Sequence, residues 1–267
     1  MRALASAGPA VLRGLRGVFF DIDDTLTSAG RLTAEAYVAL QRLHEAGLLA
    51  VPVTGRPAGW CDHMARMWPV DAVVGENGAF YFRYDRDERR MHRVFVDDEH
   101  TRAAQRARFE ALAAEILREV PGAAVSADQR YRETDLAIDF CEDVPRLPDR
   151  DIDRIAAIMK RRGLTAKVSS IHVNGWFGEY DKLSMVRRLM LDRGIDLAHE
   201  RANYAFIGDS PNDAPMFAFF PHAIGVANLQ EWTARTERLP AYITAARSGA
   251  GFAEAVGCIL AAHDFNP

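Results

Sequence analysis

Short apolar runs and longer amphipathic segments alternate over the first third of the chain. The apolar run at 18–20 is typical of a buried strand, and the helix pattern that follows it begins after Thr33, a residue that can cap a helix. A second buried strand is predicted at 48–53, a helix around 60–68 and a third strand at 72–74. Because short apolar strands that alternate with helices form parallel sheets, the pattern predicts an α/β fold with a doubly wound, Rossmann-like parallel sheet.

The pattern changes after Tyr84. From there to Phe177 the sequence predicts two long helices and several strands, which is typical of an α+β module with an antiparallel sheet. The predicted elements are a strand at 91–96, a helix at 101–120, a strand at 135–140, a helix at 149–162 and strands at 164–168 and 171–173. The alternation of strand and helix then resumes, and its last predicted element is a strand at 223–226. We therefore predict a core formed by residues 1–84 and 178–267, with an inserted α+β cap domain at 85–177.

Composition and charge narrow the classes of function. The chain has 267 residues, of which 49% are hydrophobic and 26% charged, and a formal net charge of −4. These values are ordinary for a soluble globular protein and give no basis for binding nucleic acid through a basic surface. The widely spaced Cys61, Cys141 and Cys258 predict reduced thiols. No apolar run is long enough to span a membrane, and no export signal is recognisable, so we expect a cytoplasmic protein with no membrane partner.

Two carboxylates follow the first apolar strand, and they are the strongest indication of chemistry. Asp21 and Asp23 come directly after 18–20, and the two-residue period of a strand would place them on the same side. Two adjacent anions repel each other unless a cation or a shared proton compensates them. The arrangement suits Mg²⁺-assisted phosphoryl transfer, although a pair of aspartates after a strand also serves as turn or helix-capping residues.

Further candidate residues lie in other segments of the predicted core. Thr54 ends a buried strand, and its hydroxyl can donate to a phosphate oxygen. Lys182 begins a helix, where the helix dipole disfavours a cation, so a bound anion or simple solvation would explain it. Asp209 and Asp213 follow another apolar strand, and oxygen ligands of this kind favour Mg²⁺. An Asx-turn leading into a capped helix is the alternative for this last pair.

Taken together, these segments resemble a known family. The sequences DIDDTLT at 21–27, VTGRP at 53–57, Lys182 and GDSPND at 208–213 match the four ordered motifs of the haloacid dehalogenase-like hydrolases. The sequence GENGA at 75–79 is similar to that of the type IIB (Cof-like) subgroup, which has a large cap between the second and third motifs and includes sugar-phosphate phosphatases and phosphomannomutases. Asp24 is a departure, because the family commonly has glycine at that position.

The resemblance implies roles for the matched residues. Asp21 would be the nucleophile that forms an aspartyl phosphate, and Asp23 would protonate the leaving oxygen and then activate water. Thr54 and Lys182 would hold the transferring phosphoryl group. The implied Mg²⁺ ligands are Asp209, Asp21 and the backbone carbonyl of Asp23, and Asp213 would support the metal directly or through water. Arg56 and Asn212 would face the substrate.

The implied function is a Mg²⁺-dependent phosphatase that hydrolyses a small phosphate monoester, a sugar phosphate in particular. A phosphohexomutase of the same superfamily is the alternative, and a receiver-like phospho-acceptor module is a remote one. The partner is then a small phosphorylated metabolite, and both a monomer and a dimer stay open. Specificity would come from the cap, for which the polar and aromatic candidates are Arg130, Arg132, His172, Asn174 and Trp176.

Overall fold

The computed structural model describes residues 1–264. The strands are β1 (Arg2–Ala3), β2 (Gly17–Phe20), β3 (Thr27–Ser28), β4 (Arg31–Leu32), β5 (Leu49–Pro52), β6 (Val73–Gly75), β7 (Phe80–Asp85), β8 (Arg90–Phe95), β9 (Ala124–Val125), β10 (Asp135–Asp139), β11 (Thr165–Val168), β12 (His172–Trp176), β13 (Tyr204–Gly208), β14 (Ile224–Gly225) and β15 (Tyr242–Ile243). The α-helices are α1 (Pro9–Arg13), α2 (Ala34–Glu45), α3 (Ala58–Met67), α4 (Glu99–Glu119), α5 (Asp149–Arg161), α6 (Lys182–Asp192), α7 (Leu197–Glu200), α8 (Ala214–Phe219) and α9 (Ser248–Asp264). Within these residues, no helix is long and apolar enough to cross a membrane.

A six-stranded parallel sheet forms the core. Its strand order is β1-β15-β14-β13-β2-β5, so β2 lies between β13 and β5. Phe20 is paired with Ile207 on one side and with Pro52 on the other, which brings the carboxyl ends of these three strands to one edge of the sheet. In open α/β sheets this edge is where ligands bind.

Both faces of the sheet are covered by helices. Phe20 is fully buried in a cluster with residues of α2 and α9, and its neighbour Phe19 is buried in the opposite cluster against α6 and α8. Successive residues of a strand point to opposite faces, which is why two adjacent phenylalanines serve two layers. Full burial of such a side chain contributes about 1.5–3 kcal/mol, so β2 anchors both layers of the core.

A second, four-stranded antiparallel sheet has the order β11-β12-β10-β9 and packs against α4 and α5. Ile152, Ile155 and Ile158 on α5 are fully buried against it. Their spacing of three residues places them on one helix face, which explains why the remaining faces of α5 can be charged. The predicted fold class, a Rossmann-like parallel core with an α+β cap, is the architecture observed.

The strands β6, β7 and β8 form a third, antiparallel sheet beside the core, to which a parallel bridge between Val53 and Val74 connects it. The predicted strand at 91–96 is therefore present as β8, but it pairs with β7 and has no partner in the cap sheet among the described residues. The domain boundaries at 84/85 and 177/178 stay a prediction. The pairing of β8 favours a cap that begins after Phe95.

The carboxyl-terminal part of the core was not anticipated. The sequence interpretation assigned no element after the strand at 223–226, whereas the structure has β15 and the long helix α9 there. Helix α9 contains Gly249, Gly251 and Gly257, which lower its helix propensity, and it has few polar residues, so neither propensity nor a polar face distinguishes it in the sequence. Its packing against α1 and α2 stabilises it instead.

Candidate active site

The candidate site lies at the carboxyl edge of the parallel sheet. Asp21 follows β2, and its backbone N–H still donates to Ile207 of β13 at 2.9 Å. Thr54 follows β5 and Asp209 follows β13. Since the register aligns the ends of these strands, side chains that are far apart in sequence meet at one point. Asp21, Thr54 and Asp209 are all buried.

Lys182 reaches this point from the start of α6. Its Nζ donates to Asp21 Oδ1 at 2.7 Å and to Asp213 Oδ1 at 2.6 Å, and only 1% of the residue is exposed. Burial disfavours the cation, but the two carboxylates raise the pKa of Lys182 above its ordinary value. The pairing with two anions explains a lysine at a helix start, where the dipole alone would oppose it.

The GENGA turn holds this helix start in place. Glu76, Asn77 and Gly78 adopt positive φ values of 43°, 55° and 107°, a region that side chains other than glycine rarely occupy. A Cβ on Gly78 would lie 2.0 Å from the carbonyl oxygen of Asp181, the residue that caps α6. The strained turn therefore requires glycine and sits directly beneath the residue that precedes Lys182.

Glu76 also connects the core to the cap, a role that sequence reasoning missed. Its buried carboxylate accepts the backbone N–H of Ala58 in the core at 2.8 Å and those of Glu133 and Thr134 in the cap at 3.0 and 2.7 Å. Burial and the nearby Asp135 raise the pKa of Glu76 to about 7. The sequence does contain a signal for this residue, because Glu76 lies between Gly75 and Gly78 in the GENGA turn.

Asp21, Asp209 and Asp213 form a buried acidic cluster, and one oxygen from each lies within 4.8 Å of the others. Burial, opposed by Lys182, raises the pKa of Asp21 to about 7, and burial with the charges of Asp21 and Asp213 raises the pKa of Asp209 well above its usual range. Within residues 1–264, Lys182 is the only cationic side chain in hydrogen-bond contact with the cluster. Three carboxylates and one ammonium leave an excess of negative charge, and an all-oxygen donor set of this kind fits Mg²⁺.

The loop after β13 is shaped around Asp213. Its Oδ2 accepts the backbone N–H of Asp209 at 3.0 Å and of Ser210 at 3.3 Å, which folds the loop back on itself. A Cβ on Gly208 would lie 2.4 Å from the same oxygen, so only glycine fits there. Asp209 is held in turn by the Thr25 hydroxyl at 3.1 Å and by the Asn228 amide at 3.3 Å.

Asp23 is not one of the three carboxylates of this cluster, and its partner is Arg56. Strand β2 ends at Phe20, so the two-residue period does not extend to Asp23, which lies in the turn that follows. Both of its carboxylate oxygens accept hydrogen bonds from Arg56 Nε, at 2.9 and 3.1 Å. Asp24, the departure from the family pattern, has a φ of 55°, a conformation in which glycine is favoured and aspartate tolerated.

Thr54, Arg56 and Asn212 are engaged with the protein itself. Thr54 Oγ1 accepts the backbone N–H of Arg56 at 3.0 Å, and its hydroxyl hydrogen can still be donated to a phosphate oxygen. The Asn212 amide accepts from the Ser210 hydroxyl at 2.8 Å and donates to Asn77 Oδ1 at 3.2 Å. The structure thus uses Asn212 to join two site loops, and its role toward a substrate stays a prediction.

A cavity of about 490 Å³ opens between the core and the cap beside Asp23 and Asp209. The cap lines it with Glu142, Arg146 and Ser170, which lie on the loops after β10 and between β11 and β12. The cap candidates from sequence, Arg130, Arg132, His172, Asn174 and Trp176, are absent from its lining. The cap residues that line the cavity lie on loops, and none of the candidates from the sequence is among them.

Arg132, Asn174 and Trp176 have structural contacts instead. Arg132 is buried, pairs with Asp128 and Asp135 and donates to the carbonyl of Gly55 in the core at 2.8 Å. Asn174 donates to the same Asp135 at 2.9 Å, and Trp176 stacks against Tyr180. These residues position the cap against the core.

Comparison with known proteins agrees with this geometry. The family model described as haloacid dehalogenase-like hydrolase matches residues 18–111, which include the first two motifs. A phosphoglycolate phosphatase of Methanothrix thermoacetophila is 28% identical over 260 residues, which cover 93% of this chain and 98% of that protein. Over the matched residues, the chain is similar to the haloacid dehalogenase-like hydrolases. The other two motifs, Lys182 and 208–213, lie outside the residues that the family model matches.

Solved structures share the fold of this protein. A protein of Thermoplasma acidophilum has a TM-score of 0.69 at 17% identity, with 92% of this chain and 98% of that chain covered. A protein described as a HAD subclass IIB sugar phosphatase has a TM-score of 0.61 at 14% identity, with 91% of this chain and 98% of that chain covered. These similarities extend over both the core and the cap and confirm the predicted fold class.

Proposed function

We propose that this protein is a phosphatase that releases inorganic phosphate from a small phosphate monoester, with Asp21 as the nucleophile and Mg²⁺ as the cofactor. The observation that carries the proposal is the buried contact of Lys182 with both Asp21 and Asp213 at the carboxyl edge of the sheet. A cation beside a carboxylate nucleophile lets a negatively charged phosphoryl group approach that carboxylate.

The proposed reaction has two steps. Asp21 attacks phosphorus while the bond to the leaving oxygen breaks, and Asp23 gives its proton to that oxygen. Asp23 then takes a proton from water, which attacks the aspartyl phosphate and releases phosphate and free Asp21. Lys182 and Thr54 hold the transferring oxygens throughout. Asp21, Asp209 and Asp213 would hold Mg²⁺, which when bound compensates charge at the phosphoryl group.

The organic part of the substrate has two candidates. A sugar phosphate follows from the resemblance to the type IIB subgroup. Phosphoglycolate is the second candidate, because a relative named phosphoglycolate phosphatase aligns with nearly the whole chain. The cavity of about 490 Å³ suits a small metabolite in either case, and Arg146 on its cap side could pair with a carboxylate.

The test is phosphate release by the purified protein from sugar phosphates, phosphoglycolate and p-nitrophenyl phosphate, each with Mg²⁺ and with excess EDTA. We expect turnover that EDTA abolishes and added Mg²⁺ restores. Phosphate release without any sugar bisphosphate supports a hydrolase over a mutase. Full activity in EDTA would contradict the metal requirement, and no release from any substrate would contradict the proposed function.

A further inference from the structure

Arg56 connects Asp23 to the cap. Its Nε contacts both oxygens of Asp23, and its Nη2 donates to Glu142 Oε1 at 2.5 Å while Nη1 lies 3.3 Å from Glu142 Oε2. Asp128, also in the cap, lies 3.4 Å from Nη1. Only 4% of Arg56 is exposed. The buried guanidinium thus contacts one core carboxylate and two cap carboxylates, and its Nη2 lies 2.8 Å from Asp23 Oδ1 as well as contacting Glu142.

The loop that carries Glu142 is held in place independently of Arg56. The backbone N–H groups of Cys141, Glu142 and Asp143 donate to the buried carboxylate of Asp139 at 2.8, 2.7 and 2.8 Å. His172 Nε2 lies 2.9 Å from Glu142 Oε2. Because the loop and the side chain both have fixed partners, the cap offers Arg56 a carboxylate at a defined position.

We propose that Glu142 is a positioning residue for proton transfer: through Arg56 it sets the position of the Asp23 carboxylate when the cap lies on the core. This inference rests on the proposed function, in which Asp23 is the general acid and base. Arg56 is the link in this relay, since its fork of donors addresses both carboxylates at once. A cap displaced from the core would remove Glu142 and Asp128 from the guanidinium and leave Asp23 with a mobile partner.

A structural ion pair is the competing explanation, because a cap–core salt bridge could simply hold the two parts together. The two roles differ in what they do to the chemistry. Misplacement of a proton donor slows the reaction most when the leaving group is poor and least when it is an acidic phenol. A general loosening of the cap would affect all leaving groups alike.

The experiment compares Glu142→Gln with the wild type on phenyl phosphate and on p-nitrophenyl phosphate. We expect kcat for phenyl phosphate to fall about 10- to 100-fold, the range in which misplacement of a catalytic group acts, with a smaller loss for p-nitrophenyl phosphate and KM little changed. The matched control is Glu115→Gln, which removes a cap carboxylate paired with Arg161 and Arg162 away from the cavity. It should behave as wild type.

A double-mutant cycle with Asp23→Asn tests whether Glu142 acts through Asp23. In the Asp23→Asn background, Glu142→Gln should cost no more than about 2-fold, because the group that it positions is already lost. An equal loss in both backgrounds, or an equal loss on both substrates, would overturn the positioning role. If Glu142→Gln does not fold, Glu142→Asp retains the charge at a shorter reach and should show the same leaving-group dependence to a smaller degree.

The outcomes separate this inference from the function on which it rests. Active wild type together with a Glu142→Gln variant equal to Glu115→Gln leaves the phosphatase intact and overturns only the positioning role. Absence of wild-type turnover on every substrate overturns both.

Discussion

The core side and the cap side of the candidate site are built differently. On the core side, Asp21, Lys182 and Asp209 are at most 5% exposed and are carried by strand ends and a helix start. On the cap side, Glu142 and Arg146 lie on loops, and 49% of the Arg146 side chain is exposed. Backbone register fixes the first set, whereas loop conformation fixes the second. A fold built this way can retain one reaction while the bound organic group changes.

The charge environments of the two sides also differ. The acids of the core cluster are buried with too few cations, so the pKa of Asp21 rises to about 7. Burial would raise the pKa of Glu142 as well, but hydrogen bonds from His172 and Arg56 lower it to about 2. The core side therefore has an excess of negative charge that a metal cation would compensate, while the charge of Glu142 is already compensated within the protein.

The largest expected effect is on the core side. Asp21→Asn removes the proposed nucleophile while keeping nearly the same shape. We therefore expect kcat to fall by more than about 10⁴-fold on every substrate, whatever the KM of that substrate. Phosphate release and circular dichroism would be measured together, because the fold should be retained. Asp62→Asn, which removes a carboxylate paired with Arg66 and Arg93 on the surface, is the control and should stay active. Substantial activity in Asp21→Asn would remove the nucleophile assignment.

A smaller and more selective effect is expected on the cap side. Arg146→Ala should raise KM for phosphoglycolate about 10-fold, the lower end for loss of a hydrogen bond to a charged group, because the side chain is half exposed. KM for p-nitrophenyl phosphate should hardly change. Arg150→Ala, at a cap arginine whose side chain is 85% exposed, serves as the control. Equal changes on both substrates would contradict a role of Arg146 in recognising the organic part.

The smallest effect concerns stability and pH. The pKa values of Asp21 and Glu76 are both raised to about 7, so protonation of these acids favours the folded state. Their contribution to the free energy of unfolding is fully present below their ordinary pKa values near 4 and is lost as the pH rises through 7. In EDTA, Tm should thus fall by a few degrees between pH 5.5 and pH 8.0. The lowered pKa of Glu142 acts in the opposite direction, with stability lost only as the pH falls from about 4 toward 2, outside this window.

Scanning calorimetry at the two pH values checks this prediction. Mg²⁺ at pH 8.0 should restore part of the lost Tm, since a cation offsets the ionised cluster. Asp21→Asn should reduce the difference between the two pH values, whereas Asp62→Asn should leave it unchanged. A Tm in EDTA that is higher at pH 8.0 than at pH 5.5 would contradict the stated environment of the core acids.

Much of the core site could be predicted because its residues stand in short motifs with a defined place in the fold. Asp21, Thr54 and Asp209 each follow an apolar strand, and parallel strands bring their carboxyl ends to one edge. Lys182 could be suspected from its unfavourable place at a helix start. The direction of Asp23 could not be predicted, because it depends on where β2 ends and on a guanidinium 33 residues further along the chain.

By itself, the sequence determined the alternation of elements and the residues that meet at the edge of the sheet, because each of these follows from local pattern and from the fixed geometry of strands and helices. The tertiary structure alone decided which cap residues face the cavity, that β8 pairs beside the core, and that Glu76 and Arg56 join cap to core. The contacts of Glu76 and Arg56 with the cap link segments about 60 to 90 residues apart, whose approach depends on packing of the whole molecule, which no local pattern encodes.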